Sequence, residues 1–398
     1  MSQPSSSTSS SEAEGRVQRA LATLAWIIVW LIVLDVLIDI AFRYPSDPRV
    51  TNPGQLKLYF DYGLSAEAKL RRMTGTSPQT SAPITQAGWY QPIVVQGAPN
   101  RPGADVVSFY GMSHSVRLAN ALNRTSQRYA ARIIGAPGAT ANWSYGAFQR
   151  DLGGGKSKAA VLSIMSANLP MIDTMSPMTW NVSFPMPYTE DRYFEKNGRL
   201  TVVHPPFQSF GQYLATFHDP TKWAAARRII AANDTMYDSF LVRESVFDHS
   251  SIVRLIRRAY EQRLEREARA QVFTRSGFNA RSEQVRVANG IVRDFAATAR
   301  SHGLIPVVFI ANNLGYSDSL YQALKGTLEA DHIPFLNSAA IVSPDDPRGY
   351  LPDSHFTDAN DDRLARALAI VIDRAAAPQL SMKLAGQAAA VSGSGRGE

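Results

Sequence analysis

Five short apolar runs, each closed by a glycine, a polar loop or a helix-forming stretch, limit most strongly how this chain folds. ADVVSFY begins at Ala104, YAARIIG at Tyr129, KAAVLSIM at Lys158, LIPVVFI at Leu304 and HIPFLN at His332. Such runs are too short for core helices and lack polar alternation, so they read as strands buried on both faces. Between the first two, SVRLANALNR sets Val116, Leu118, Ala119 and Leu122 at helical spacing. ANDDRLARALAIVIDRAA closes the pattern as an amphipathic helix. Strands alternating with helices predict an α/β fold, a three-layer α/β/α sandwich around a central parallel sheet, over residues 104–375. With 398 residues, 45% of them hydrophobic, the chain has enough material to fill that core.

The N-terminal part has a different character. Residues 1–20 are Ser-rich and polar and read as disordered. Residues 21–42, LATLAWIIVWLIVLDVLIDIAF, have the length of a transmembrane anchor. Their fourteen Leu, Ile, Val and Phe side chains favour insertion by roughly 4 to 8 kcal/mol. Asp35 and Asp39 oppose it by about 5 to 7 kcal/mol at the bilayer centre, and by less here because they sit in the C-terminal half. A cleaved signal peptide is the rival reading, but no small-x-small cleavage site follows the apolar run. Asp35 and Asp39 share one helix face. They either reach water near the interface or meet polar groups of a partner membrane helix. Arg16 and Arg19 precede the span while Arg43, Arg49 and Lys57 follow it, so charge sets no orientation.

Residues 43–103 are rich in Pro, Gly, Ser and Thr and read as a stem or arm, with one helix-like stretch from Leu64 to Met73. An insertion interrupts the α/β pattern at about 185–280. It begins with a hairpin turning at Asn197-Gly198. A long helix follows, with Ile252, Leu255, Ile256, Ala259 and Tyr260 on its expected buried face. Its arginines read as a solvated face, or alternatively as a contact for lipid phosphates or an acidic polymer. Residues 376–398 are Ala, Gly and Ser-rich and read as a disordered tail.

Two distant segments carry the candidate chemistry. VVSFYGMSHS puts Ser113 just past the first strand, and LPDSHFTD puts Asp353 and His355 in one late turn. A serine hydroxyl becomes a useful nucleophile only when a base takes its proton and a third group holds that base. Gly138 follows the second strand and Asn168 the third, at strand ends of the kind that line a ligand crevice in a parallel sheet. Read alone, Ser113 is equally an N-cap, Gly138 a turn glycine, Asn168 a loop amide, His355 a structural histidine and Asp353 a turn residue. His114 adjoins the serine, but its side chain is expected to point away along the turn.

Taken in order, these four blocks resemble the SGNH, or GDSL-like, hydrolase superfamily, whose blocks carry Ser, Gly, Asn and His. The resemblance implies a flavodoxin-like sandwich. It also implies Ser113 as nucleophile, His355 as base with Asp353 as its partner, and an oxyanion hole of Ser113, Gly138 and Asn168. The chain departs from the pattern at Met112, where an Asp is usual, and at Ser166 and Leu169 in the third block. Its D-x-H spacing resembles the alginate-type O-acetyltransferase branch. The implied function is esterase or O-acyltransferase chemistry on an acylated or acceptor polysaccharide, with the main domain outside the cytoplasm and a multi-pass membrane acyl-donor protein as the partner that Asp35 and Asp39 would meet. Two other readings stand beside it: a catalytically silent scaffold of a polysaccharide synthesis or export complex, and a lipid-directed esterase.

The absence of cysteine excludes disulfides, thiolate metal sites and a cysteine nucleophile. The histidines show no metal-ligand spacing, and GGGK at 153–156 lacks the spacing of a phosphate loop, so no metal or nucleotide cofactor is expected. Net charge is +7, yet the basic residues are scattered and form no block suited to nucleic acid.

Overall fold

The computed structural model describes residues 9–41, 60–74, 94–152, 155–182, 185–186 and 188–393. Most of the expected stem (43–59 and 75–93), the end of the expected span at Phe42 and the last five residues of the tail lie outside the described residues. A helix α1 (Ser9–Ala41) comes first, then α2 (Ala66–Thr74) and a short strand β1 (Val94–Gln96). The core opens with β2 (Asp105–Gly111), α3 (Ser113–Thr125), β3 (Tyr129–Gly135), α4 (Ala141–Asp151) and β4 (Ala159–Met165). Helix α5 (Pro177–Trp180), strands β5 (Arg192–Lys196) and β6 (Arg199–Val203), and helices α6 (Phe210–Phe217), α7 (Pro220–Asn233) and α8 (Ser239–Val242) follow. Helix α9 (Ser251–Val272) leads to the two-residue strands β7 (Phe273–Thr274) and β8 (Gly277–Phe278). The chain ends with α10 (Glu283–Ser301), β9 (Ile305–Ala311), α11 (Ser319–Ala330), β10 (Phe335–Asn337) and α12 (Asp358–Gly393).

The main sheet has the order β1-β3-β2-β4-β9-β10. The five apolar runs supply its parallel strands, and β4 and β9 are buried at every position, as strands covered on both faces must be. The expectation of a wholly parallel sheet needs correction. β1 pairs antiparallel with β3 at one edge, making the sheet mixed. That edge strand has only three residues, too few to show any periodicity. Helix α3 packs on α12, and α4 on α10. From β2 the chain first adds β3 on one side and then β4 on the other. The strand order therefore reverses between β2 and β4, where open α/β sheets form their ligand crevice.

Gly111 ends β2 where this switch point is tightest. A Cβ there would lie 2.6 Å from the Ser163 Cβ on β4 and 2.8 Å from the Ser115 Cβ on α3. Those neighbours are themselves hydrogen bonded, Ser163 Oγ to Ser115 Oγ at 2.8 Å, and both are buried. Glycine is thus what lets β2, β4 and the start of α3 close together.

A second apolar core lies beside the first. Leu64 and Leu70 from the α2 region join Met178, Val182, Phe207, Tyr213, Phe217, Trp223 and Ile230. Part of the expected stem thus packs with the expected insertion. The hairpin turns as its sequence implies, with Asn197 at φ 54° and Gly198 at φ 77°, the two left-handed residues of a type I′ turn. The long helix is present, but its most deeply buried side chains are not the expected ones; Ile252, Leu255 and Tyr260 are only partly buried. Arg254 and Arg257 are buried, the latter only 1% exposed, while Ile256 is 56% exposed. Arg257 donates to Asp248 at 2.7 Å, and Arg254 to Asp61 at 3.3 Å. Burial pulls both guanidinium groups below the usual arginine value, and these carboxylates push back. Helical periodicity cannot register partners supplied by distant segments.

Helix α1 is exposed, and Ala13–Ala41 within it is long and apolar enough to cross a membrane. It begins inside the tail expected to be disordered, and α12 likewise continues past residue 376 to Gly393. Asp35 accepts a hydrogen bond from the Ile252 backbone N–H of α9 at 2.8 Å.

Two glycine substitutions test this packing in opposite directions. Gly111→Ala should lower stability in urea melts by about 1–3 kcal/mol, the usual cost of overpacking a filled core. Gly326→Ala, inside α11 with nothing within 4 Å of the new Cβ, should be neutral or stabilise by up to about 1 kcal/mol. Equal effects would contradict the packing described at the switch point.

Candidate active site

Ser113 is the first residue of α3, and it is not that helix's cap. Met112 occupies the N-cap position and makes no side-chain capping bond. The Ser113 hydroxyl turns instead to His355 Nε2, 2.7 Å away. On the other side of the ring, His355 Nδ1 is 3.0 Å from Asp353 Oδ2. A carboxylate can only accept, so Nδ1 carries the ring proton. Nε2 of the neutral imidazole is then the acceptor, and the Ser113 hydroxyl donates to it. This is the polarity a general base needs.

The D-x-H spacing works because of the residue between. Ser354 is left-handed, at φ 67°, which folds the turn back on itself. Asp353 thereby reaches two donors of residue 355, the ring Nδ1–H and, at 3.2 Å, the backbone N–H. The His355 ring bond, and secondarily the backbone bond, hold the Asp353 carboxyl below the usual carboxylate value. Its side chain remains 66% exposed, so solvent weakens its hold on the imidazole compared with a buried aspartate. The turn is closed by Ser354 N–H to Leu351 O at 2.9 Å and Leu351 N–H to His355 O at 2.7 Å.

The expectation that His114 points away is overturned. Its ring stacks on that of His355, with centroids 4.7 Å apart, and meets Phe356 edge-on. His114 Nε2 lies 3.2 Å from the Ser354 carbonyl, which can only accept, so the His114 proton sits on Nε2. Its Nδ1 is buried without a partner. Burial, reinforced by repulsion from His355, pulls the His114 pKa down to about 4, so the ring is neutral near pH 7. His114 is a wall that fixes the plane of His355 without adding charge. Arg117, one helical turn further along α3, secures the same loop. It donates to the Phe356 carbonyl at 3.0 Å and to Asp361 at 2.8 Å. The i to i+4 spacing from Ser113 shows that both lie on one helix face, but the loop they hold is some 240 positions away.

Gly138 and Asn168 follow β3 and β4, the two strands flanking β2, and the structure joins them to each other. Asn168 Nδ2 donates to the Gly138 carbonyl at 2.8 Å and to that of Ala139 at 3.3 Å. The amide therefore holds the glycine loop, a role not visible in the sequence. Gly138 has φ 60°, and a Cβ there would only touch Trp180 at 3.6 Å. Its requirement for glycine is conformational rather than one of close approach. Asn313 clamps the same edge, its Oδ1 accepting from the Ala167 N–H at 3.0 Å, and Arg269 of α9 donates to the Ala167 carbonyl at 2.8 Å.

Among the described residues there is no cluster of His, Asp and Glu able to hold a metal ion. The groups brought together suit proton transfer to and from a serine oxygen. No protein-family model matches the chain, and no curated protein matches it significantly.

The His114 wall has a pH signature. Its folded pKa lies below that of an unfolded histidine, so the unfolded chain binds more protons between about pH 6.5 and 4. The stability it contributes is complete above about pH 6.5 and is lost as pH falls towards 4. An NMR titration should show one imidazole, absent in His114→Phe, protonating near pH 4, and the variant's stability should fall less over that range. Coincident stability slopes for the two proteins would contradict a buried neutral His114.

Proposed function

We propose that this chain is a serine acyl-transfer enzyme of the SGNH type, an esterase or O-acyltransferase anchored by its N-terminal helix. The contact of 2.7 Å between Ser113 Oγ and His355 Nε2 carries this reading, since it leaves the serine proton on the path to a base that Asp353 orients. Attack of Ser113 Oγ on an ester carbonyl moves its proton to His355 Nε2. Collapse of the tetrahedral intermediate breaks the bond to the leaving oxygen, which takes that proton. Water or a sugar hydroxyl then gives its proton to His355 and attacks the acyl-serine, and the proton returns to Ser113 as it leaves.

The Ser113 backbone N–H belongs to the first turn of α3, where N–H groups have no partner within the helix, so it is the natural first donor to the oxyanion. The Gly138 N–H is its proposed companion. Asn168 contributes by aiming the Gly138 loop, because the two hydrogens of its amide are donated to the Gly138 and Ala139 carbonyls and not to the oxyanion. The position of Ser113 at the reversal of strand order supports a substrate crevice there. The proposed substrate is an ester-linked acyl group, acetyl in the simplest case, on a cell-envelope or secreted polysaccharide. The resemblance to anchored polysaccharide O-acetyltransferases suggests this choice, and a tethered domain facing the outside suits a polymer.

The full-length protein, incubated in detergent with an activated acetyl ester, should carry one acetyl group on Ser113 by peptide mass spectrometry. Acetate release from, or transfer to, a glycan should fall by about 10⁴-fold or more in Ser113→Ala and in His355→Ala. Glycan turnover that persists in Ser113→Ala would rule out this mechanism.

A further inference from the structure

Helix α1 meets the globular part at one corner, and that corner is unusually apolar. Val246 is 78% exposed and Phe247 54% exposed, just before the N-terminus of α9, and Ile256 is exposed one turn into it. Asp35 of α1 bonds the backbone N–H of Ile252 between them. The bond joins a carboxylate to the positive end of a 22-residue helix dipole. Arg243 stands exposed on the same loop, and the neighbouring Glu244 is paired with Arg71 at 2.7 Å.

The position of Asp35 along α1 indicates what covers this corner. The helix Ala13–Ala41 carries Glu14, Arg16 and Arg19 near its start, so its apolar run is Ala20–Ala41. At 1.5 Å per residue that run is about 33 Å long, just enough for a hydrocarbon layer of about 30 Å. Asp35 lies about 9 Å of helix axis before Ala41, close to the edge of that layer on the side of the globular part. A domain tied to Asp35 has Val246, Phe247 and Ile256 beside the lipid boundary. Exposed apolar side chains next to an exposed arginine are the composition of a surface that lies in that boundary.

We propose that the corner bearing Val246, Phe247 and Ile256 is seated in the interfacial layer of a lipid bilayer and pinned there by the bond from Asp35 to α9. The proposal rests on α1 being a membrane span and is independent of the chemistry at Ser113. The pairing uses one Asp35 oxygen within the chain itself, where the sequence left open a partner helix.

The chain has no cysteine, so a single introduced thiol reports cleanly. Val246→Cys, in the full-length protein, is labelled with a polarity-sensitive dye. It is reconstituted in phosphatidylcholine–phosphatidylglycerol vesicles carrying a nitroxide on the upper acyl chain. The label should shift to the blue and be quenched several-fold, and the same dye on Arg275→Cys, past the other end of α9, should stay unquenched. Adding Asp35→Leu, which keeps the span apolar, should weaken quenching at position 246 while the protein still floats with the vesicles. A co-floating protein whose Val246→Cys label behaves as in water overturns the seat. Quenching unchanged by Asp35→Leu overturns the pin. A protein that does not float overturns the span itself, and acylation of Ser113, read separately, is unaffected by any of these outcomes.

Discussion

The hydrogen bond from Ser113 to His355 joins residues 242 positions apart, and the arrangement around it depends on that bond being made. Ser113 is delivered by the end of β2 at the reversal of strand order, with Gly111 allowing the close approach to β4. His355 is delivered by a loop that belongs to no strand. That loop has its own internal bonds, a left-handed Ser354, and Arg117 holding it to α3 from outside. The proposed chemistry needs both segments together.

Solvent divides the roles around the imidazole. Asp353, largely exposed, sets the tautomer through direct bonds and contributes little long-range field. His114, buried and neutral, restrains the ring by contact alone. A second charged group in its place would compete with the cation that His355 becomes in the proposed proton transfer. The burial that depresses the His114 pKa is therefore the same burial that lets it sit against the base. Arg269 adds a link of a different kind. It lies near the far end of the helix whose start meets Asp35, about 26 Å of helix axis away, and it bonds the carbonyl next to Asn168. One rigid element thus runs from the apolar helix to the segment that carries Asn168, which in turn holds the Gly138 loop.

Much of this was legible in the sequence, for identifiable reasons. The five strands show as short apolar runs because a sheet covered on both faces favours apolar residues on either side of each strand. The hairpin shows because Asn197-Gly198 accepts two left-handed residues at low cost. Ser113, Asp353 and His355 stand out because a hydroxyl, an imidazole and a carboxylate that could serve as nucleophile, base and orienting group are chemically distinctive, and the structure brings the three side chains together. What was not legible depends on partners distant in the chain. Arg254 and Arg257 look solvated until Asp61 and Asp248 are brought to them. The orientation of His114 follows from a loop 240 positions later, and Asn168 turns to the Gly138 loop only once β3 and β4 flank β2. The edge strand β1 is set by pairing alone.

The central claim is that Ser113 is an activated nucleophile. Its most direct test is the rate of labelling of the full-length protein by a fluorophosphonate, which needs no knowledge of the substrate. The account predicts one label, on Ser113, in the native protein, with labelling lost in Ser113→Ala and in a folded His355→Ala. A folded native protein that resists the probe, or a His355→Ala variant labelled at the native rate, would contradict it.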